Sequence, residues 1–72
     1  MKVTWGIADV VPGLKVVNDQ DLEYMVGKYV SKGNEPQWII IALATGTAYQ
    51  LNKADEKGVV EFLNAANHYP VK

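Results

Sequence analysis

The sequence predicts an α+β domain: a four-stranded antiparallel sheet with two helices on one face, in the order ββαββα. Three observations lead there. The run Trp38-Ile39-Ile40-Ile41-Ala42-Leu43-Ala44 is apolar on both faces if extended, because successive strand side chains point to opposite sides. Two strand-like segments meet at Pro12-Gly13 and two more at Thr45-Gly46, both turn signals. Each pair is followed by a stretch with a polar cap and helical apolar spacing. The alternative order is βαββα, in which the first segment is not part of a hairpin.

Val3, Trp5 and Ile7 alternate with Thr4, Gly6 and Ala8, the pattern of a half-buried first strand. Pro12-Gly13 turns the chain, and Leu14 to Val17 forms the return strand. Asn18 offers a helix cap with Asp21 three residues on, a variant of the capping box. Leu22, Met25, Val26, Tyr29 and Val30 then make an amphipathic stripe, with Gly33 just past its end and Pro36 forbidding an early restart. The second half follows the same grammar. Trp38 to Ala44 is a strand, Thr45-Gly46 a turn and Thr47 to Leu51 the return strand. Asn52 caps a second helix whose stripe is Val59, Phe62, Leu63 and Ala66, ending near Asn67-His68 ahead of Tyr69-Pro70. Gly58 weakens its first turn by about 1 kcal/mol relative to Ala.

Trp5, Gly13, Asn18 and Asp21 correspond to Trp38, Gly46, Asn52 and Asp55 at offsets of 33 residues before the return strands and 34 after. Residues 1–72 thus read as one domain built from two ββα units, 3–33 and 37–69, with one residue inserted in the second return strand.

Hydrophobic residues make up 49% and charged residues 21%, proportions of a globular chain and not a disordered one. The chain has 72 residues, and a core of that size is marginal without a staple. There is no cysteine for disulfides, and one histidine leaves no tetrahedral zinc set, so no metal or cofactor is expected. Seven basic residues, all lysine, are scattered among eight acidic ones for a net charge of -1. A phosphate-binding surface needs a basic field, so nucleic acid is not an expected partner. The stretch after Lys2 is broken at Gly6 and Asp9, which leaves no signal-peptide core. The run from Trp38 is shorter than the ~20 residues a membrane helix needs. A soluble cytoplasmic protein without a membrane partner is the expectation.

Catalytic groups are sparse. His68 is the one side chain that titrates near neutrality unperturbed, and it is placed to cap the end of the second helix. Asp9 precedes a turn that its own carboxylate can start. Ser31, the only serine, sits beside Lys32 with no base in view. Asp19, Asp21 and Glu23, and likewise Asp55 and Glu56, suit the positive end of a helix. No catalytic residue is assigned, and an enzyme would require His68 and an acid such as Asp9 to meet in a cleft.

What remains is surplus apolar surface. A two-faced strand in a small chain leaves either Trp38 and Ile40, or Ile39, Ile41 and Leu43, without internal cover. Each such side chain left in water forgoes roughly 1.5–3 kcal/mol. Trp and Tyr add large apolar bodies with one polar handle, common interface anchors. The expected binding surface is therefore Trp5, Trp38, Ile39, Ile40, Ile41, Leu43 and Tyr49. The expected function is a non-catalytic protein-interaction or regulatory module that self-associates through its sheet, as a homodimer, and binds an unidentified larger protein. By analogy of size, a phage or mobile-element accessory protein that inhibits a host factor fits this description. The alternative is a small-ligand binder with a pocket between subunits, lined by Trp38, Tyr49 and Trp5.

Overall fold

A computed structural model describes residues 3–30, 33 and 35–71. Ser31 and Lys32, together with Lys2, lie outside the described residues. The chain is α+β with one antiparallel sheet, as the sequence predicts, but among the described residues the sheet has five strands and carries a single α-helix. The strands are β1 (Lys15–Asn18), β2 (Glu23–Tyr29), β3 (Gln37–Ala42), β4 (Thr47–Gln50) and β5 (His68–Pro70), in the spatial order β4-β3-β2-β1-β5. The helix α1 (Glu56–Ala65) leads from β4 at one edge of the sheet to β5 at the other.

The first segment is the first correction. Val3 to Ala8 is not a strand; it runs irregularly into a 3-10 turn, Ile7–Asp9. Its backbone is held by a side chain in place of a ladder. Trp5 N donates to Asn64 Oδ1 at 2.9 Å, and Asn64 Nδ2 donates back to Trp5 O at 3.0 Å. The turn at Pro12-Gly13 forms as expected. Leu14 N reaches Val11 O, and Gly13 takes φ 88°, which the third position of a type II turn demands. It leads into β1 and closes no hairpin.

The second correction concerns residues 22–30, read as a helix and found as β2. Asn18 makes one side-chain bond of the kind a cap makes, with Oδ1 accepting from Gln20 N, and a second from Leu22 N, one residue beyond a cap's reach along a helix. Asx chemistry serves a turn as readily as a helix start. Here Asn18 N also donates to Leu22 O, and Asp21 adopts φ 60°, which reverses the chain into a hairpin. The apolar spacing fits a strand as well: Tyr24, Val26 and Lys28 fall on one face, and Met25, Gly27 and Tyr29 on the other. Gly27 inside a helix would cost about 1 kcal/mol, while Tyr and Val favour a sheet. The six-residue pairing with β3 decides it, from Tyr24↔Ala42 to Tyr29↔Gln37. Of the expected stripe, only Val26 is fully buried.

The second half is closer to expectation. The two-faced run becomes β3, whose burial alternates along the strand, and Thr45-Gly46 turns it into β4. The helix starts three residues later than read, capped by Asp55, whose Oδ1 accepts from Gly58 N at 2.9 Å. It also ends earlier, because the chain leaves at Ala66 to pair β5 with β1 (Val17↔Tyr69). The ββα form is thus adopted by 37–65, whereas 3–30 holds a 3-10 turn and two strands.

The core lies on one face of the sheet. Val16, Val26, Trp38 and Ile40 meet Val59 and Leu63 of α1, and Trp5 and Val10 of the N-terminal segment fill beside the helix. Irregular chain anchored by Trp5 thus supplies cover that a second helix was expected to give.

Candidate functional site

The pairing registers sort every strand residue to one of two faces. The helix-side face carries Trp38, Ile40 and Ala42. The outer face carries Met25, Gly27 and Tyr29 of β2, Ile39 and Ile41 of β3, Ala48 and Gln50 of β4, and Lys15 and Val17 of β1. Nothing among the described residues lies over it. Met25, Ile39 and Ile41 are half-buried by their strand neighbours alone, and Tyr29 is exposed. Ile39 and Ile41 gain what cover they have by leaning over Gly27, where a Cβ would come within 3.3 Å of both. The centre of this face is therefore an apolar patch across β2 and β3. Lys15 and Glu23 stand toward its β1 side, which resembles an interface with an apolar middle and polar rim.

The seven residues expected to bind separate by face. Trp5 (7% exposed), Trp38 (6%) and Ile40 (0%) are core residues. Trp5 Nε1 donates to His68 O at 3.0 Å, and Lys28 Nζ sits 5.2 Å over the Trp38 ring. Ile39 and Ile41 lie on the open face, and Leu43 follows β3 at 37% exposure. Tyr49 is half exposed on the edge strand β4, on the helix side. Met25 and Tyr29 complete the patch and were hidden by the helical reading. Their alternation with Tyr24 and Val26, around a mid-segment glycine, is the signal that would have found them.

Two shallow grooves flank the end of β4. One, of 340 Å³, runs between Gln50–Asn52 and the Gly58, Phe62 and Ala65 side of α1. The other, of 190 Å³, lies among Tyr29, Trp38, Ile39 and Leu51. Neither is lined by Trp5 or Tyr49, two of the three residues expected around a ligand.

The titratable groups are engaged locally. His68 is 4% exposed and sits in β5, and its Nδ1 lies 3.1 Å from Leu63 O and 3.2 Å from Ala66 O. Both partners are carbonyls, so the ring donates from Nδ1 and caps the end of α1 from beyond it. Its ring also packs against Phe62 and Tyr24. Asp9 accepts from Gly6 N at 2.9 Å and closes the 3-10 turn. No hydrogen bond joins His68 to Asp9 among the described residues. Nor do three or more His, Asp or Glu side chains there converge as a metal set would. No helix among them is long and apolar enough to cross a membrane.

Asp19 ties the β1–β2 turn to the last strand. Its carboxylate accepts from Asn67 Nδ2 at 2.8 Å and from Tyr69 Oη at 2.9 Å. These two bonds, Asn67's first, hold the Asp19 pKa below the ordinary carboxylate value, and the same bond raises that of Tyr69. A lowered folded-state pKa gives stability that is present above the ordinary aspartate value. It is lost as pH falls through the lowered one. The raised tyrosine pKa works at the other end, with its contribution lost as pH rises through the raised value. Asp19→Asn should therefore flatten the acid limb of a melting-temperature-against-pH curve and return Tyr69 to its ordinary titration. An unchanged acid limb and an unchanged Tyr69 titration would show that these bonds do not form in solution.

Comparison of the chain with protein-family models, with curated proteins and with solved structures found no match.

Proposed function

We propose that this chain is a non-catalytic interaction module that self-associates through the outer face of its sheet, and in that form binds or regulates a larger protein. The observation that carries this reading is the open patch of Met25, Ile39 and Ile41 beside exposed Tyr29. A packed protein interior is placed behind this patch, so it is rigid and needs no reorganisation to dock. Apolar sheet faces of this kind stack on one another at about 10 Å. Completing the burial of the three half-buried side chains is worth on the order of 1 kcal/mol each. The local bonding of His68 and Asp9 supports the non-catalytic part.

Light scattering at micromolar concentration tests the reading. The wild-type chain should have a mass above that of one chain. Ile39→Thr with Ile41→Thr keeps β-branched side chains in the strand but removes much of the apolar surface, and should lower the mass while the circular dichroism stays unchanged. A wild-type chain that remains a monomer throughout would sink the proposal.

A further inference from the structure

The two edges of the sheet are not alike. At one edge, β5 has three residues and ends at Pro70, which has no N–H to offer another strand. At the other edge, every residue of β4 (Thr47–Gln50) is exposed, and the strand has no proline and no charge. Natural sheets blunt their edges with lysine, proline, bulges or a covering element, because an open row of N–H and C=O groups templates another strand. This chain blunts one edge and leaves the other open. We propose that the β4 strands of two copies pair antiparallel, edge to edge, as a second isologous contact of the module.

The chemistry of β4 favours a second copy as its occupant. An uncharged strand meets no like charge when its own copy runs against it. A two-fold axis normal to the sheet, centred on Ala48 or Tyr49, keeps both helices on the same side. Centred on Ala48, it sets Thr47 of each copy opposite Tyr49 of the other. With the β5 edge closed by Pro70, pairing cannot propagate from edge to edge into a fibre, so the contact closes as a two-fold. Four paired residues bury far less than the roughly 1,000 Å² of a stable interface, so the edge acts together with stacking of the outer faces. In this respect the inference rests on the function proposed above. Edge pairing makes the two outer faces continuous, and two such pairs stacked face to face give a tetramer.

Light scattering on two sets of variants separates the contacts. The wild-type chain is expected to be a tetramer. Thr47→Lys with Tyr49→Lys, both at exposed positions, should halve the mass to a face-stacked dimer. Mixing that variant with Thr47→Glu/Tyr49→Glu should restore the tetramer. Ile39→Thr/Ile41→Thr should give monomers, since the edge alone is too small. If the lysine variant keeps the wild-type mass, edge pairing is overturned and face stacking stands. If the edge variant lowers the mass while the face variant does not, edge pairing stands and face stacking is overturned. As a check free of substitutions, amide hydrogen exchange at Ala48 and Gln50, whose N–H groups face away from β3, should slow as concentration rises. Fast exchange at every concentration overturns the proposal.

Discussion

Trp5→Ala should largely unfold the protein. Replacing a buried tryptophan by alanine costs about 3–5 kcal/mol, and a domain of this length has roughly 4–11 kcal/mol in total. Trp5 fills the core beside Val59 and Leu63, and its indole N–H satisfies His68 O at the start of β5. Residues 3–6 themselves belong to no helix or strand. The Trp5 ring and the paired bonds from Asn64 anchor them, so losing the ring frees a whole strip of cover from the sheet. A thermal melt should fall by tens of degrees, at roughly 4–8 °C per kcal/mol for a domain this small. Trp5→Phe keeps most of the volume and should cost much less. Asn64→Ala, which strands the Trp5 backbone groups, should cost about 1–3 kcal/mol. Combined with Trp5→Ala it should add little, because the segment has already left. If Trp5→Ala changed the association state and left the melt intact, Trp5 would be an interface residue and its core role would be refuted.

Gly58→Ala should destabilise the fold, against helix propensity. Alanine inside a helix is favoured over glycine by about 1 kcal/mol, and the sequence alone marks Gly58 as a weak point. In the structure, a Cβ at position 58 would overlap the carbonyl oxygen of Lys53 and crowd its carbonyl carbon and Cβ. The chain before the helix passes so close because Asp55 caps α1 and Ala54 O accepts from Trp38 N at 3.1 Å, which pins residues 53–55 against both helix and sheet. Backbone cannot swing aside as a flexible side chain does. Overpacking of this kind costs about 1–3 kcal/mol and outweighs the propensity gain. The urea midpoint of Gly58→Ala should fall, as should that of Asp55→Ala, where loss of the cap costs about 1 kcal/mol. A neutral or stabilised Gly58→Ala would mean that the loop from Lys53 does not pack on the first turn.

Some of the fold is plain in the residues and some is not, and the division follows the range of the forces. The apolar run of β3, the glycine turns at 13 and 46, and the stripe of Val59, Phe62 and Leu63 are visible because neighbours within a few positions decide them. Residues 22–30 satisfy two periodicities at once, and the bond Asn18 accepts from Gln20 N serves a helix start and a hairpin turn alike. β5 has three residues, and its partner β1 lies some fifty positions earlier. The candidate surface divides likewise. Ile39 and Ile41 are legible from the two-faced run, whereas Met25 and Tyr29 join them only because β2 lies beside β3.

Local residue pattern was enough to place a strand apolar on both sides inside an antiparallel sheet, ahead of a capped amphipathic helix. Long-range packing was needed to make 23–29 a strand, to bring the chain back as β5, and to lay Trp5 and a length of irregular backbone over one face. A helix makes its hydrogen bonds four residues away, within its own segment. A strand makes them with whatever distant segment is brought alongside, so its existence is settled only when the whole chain is folded.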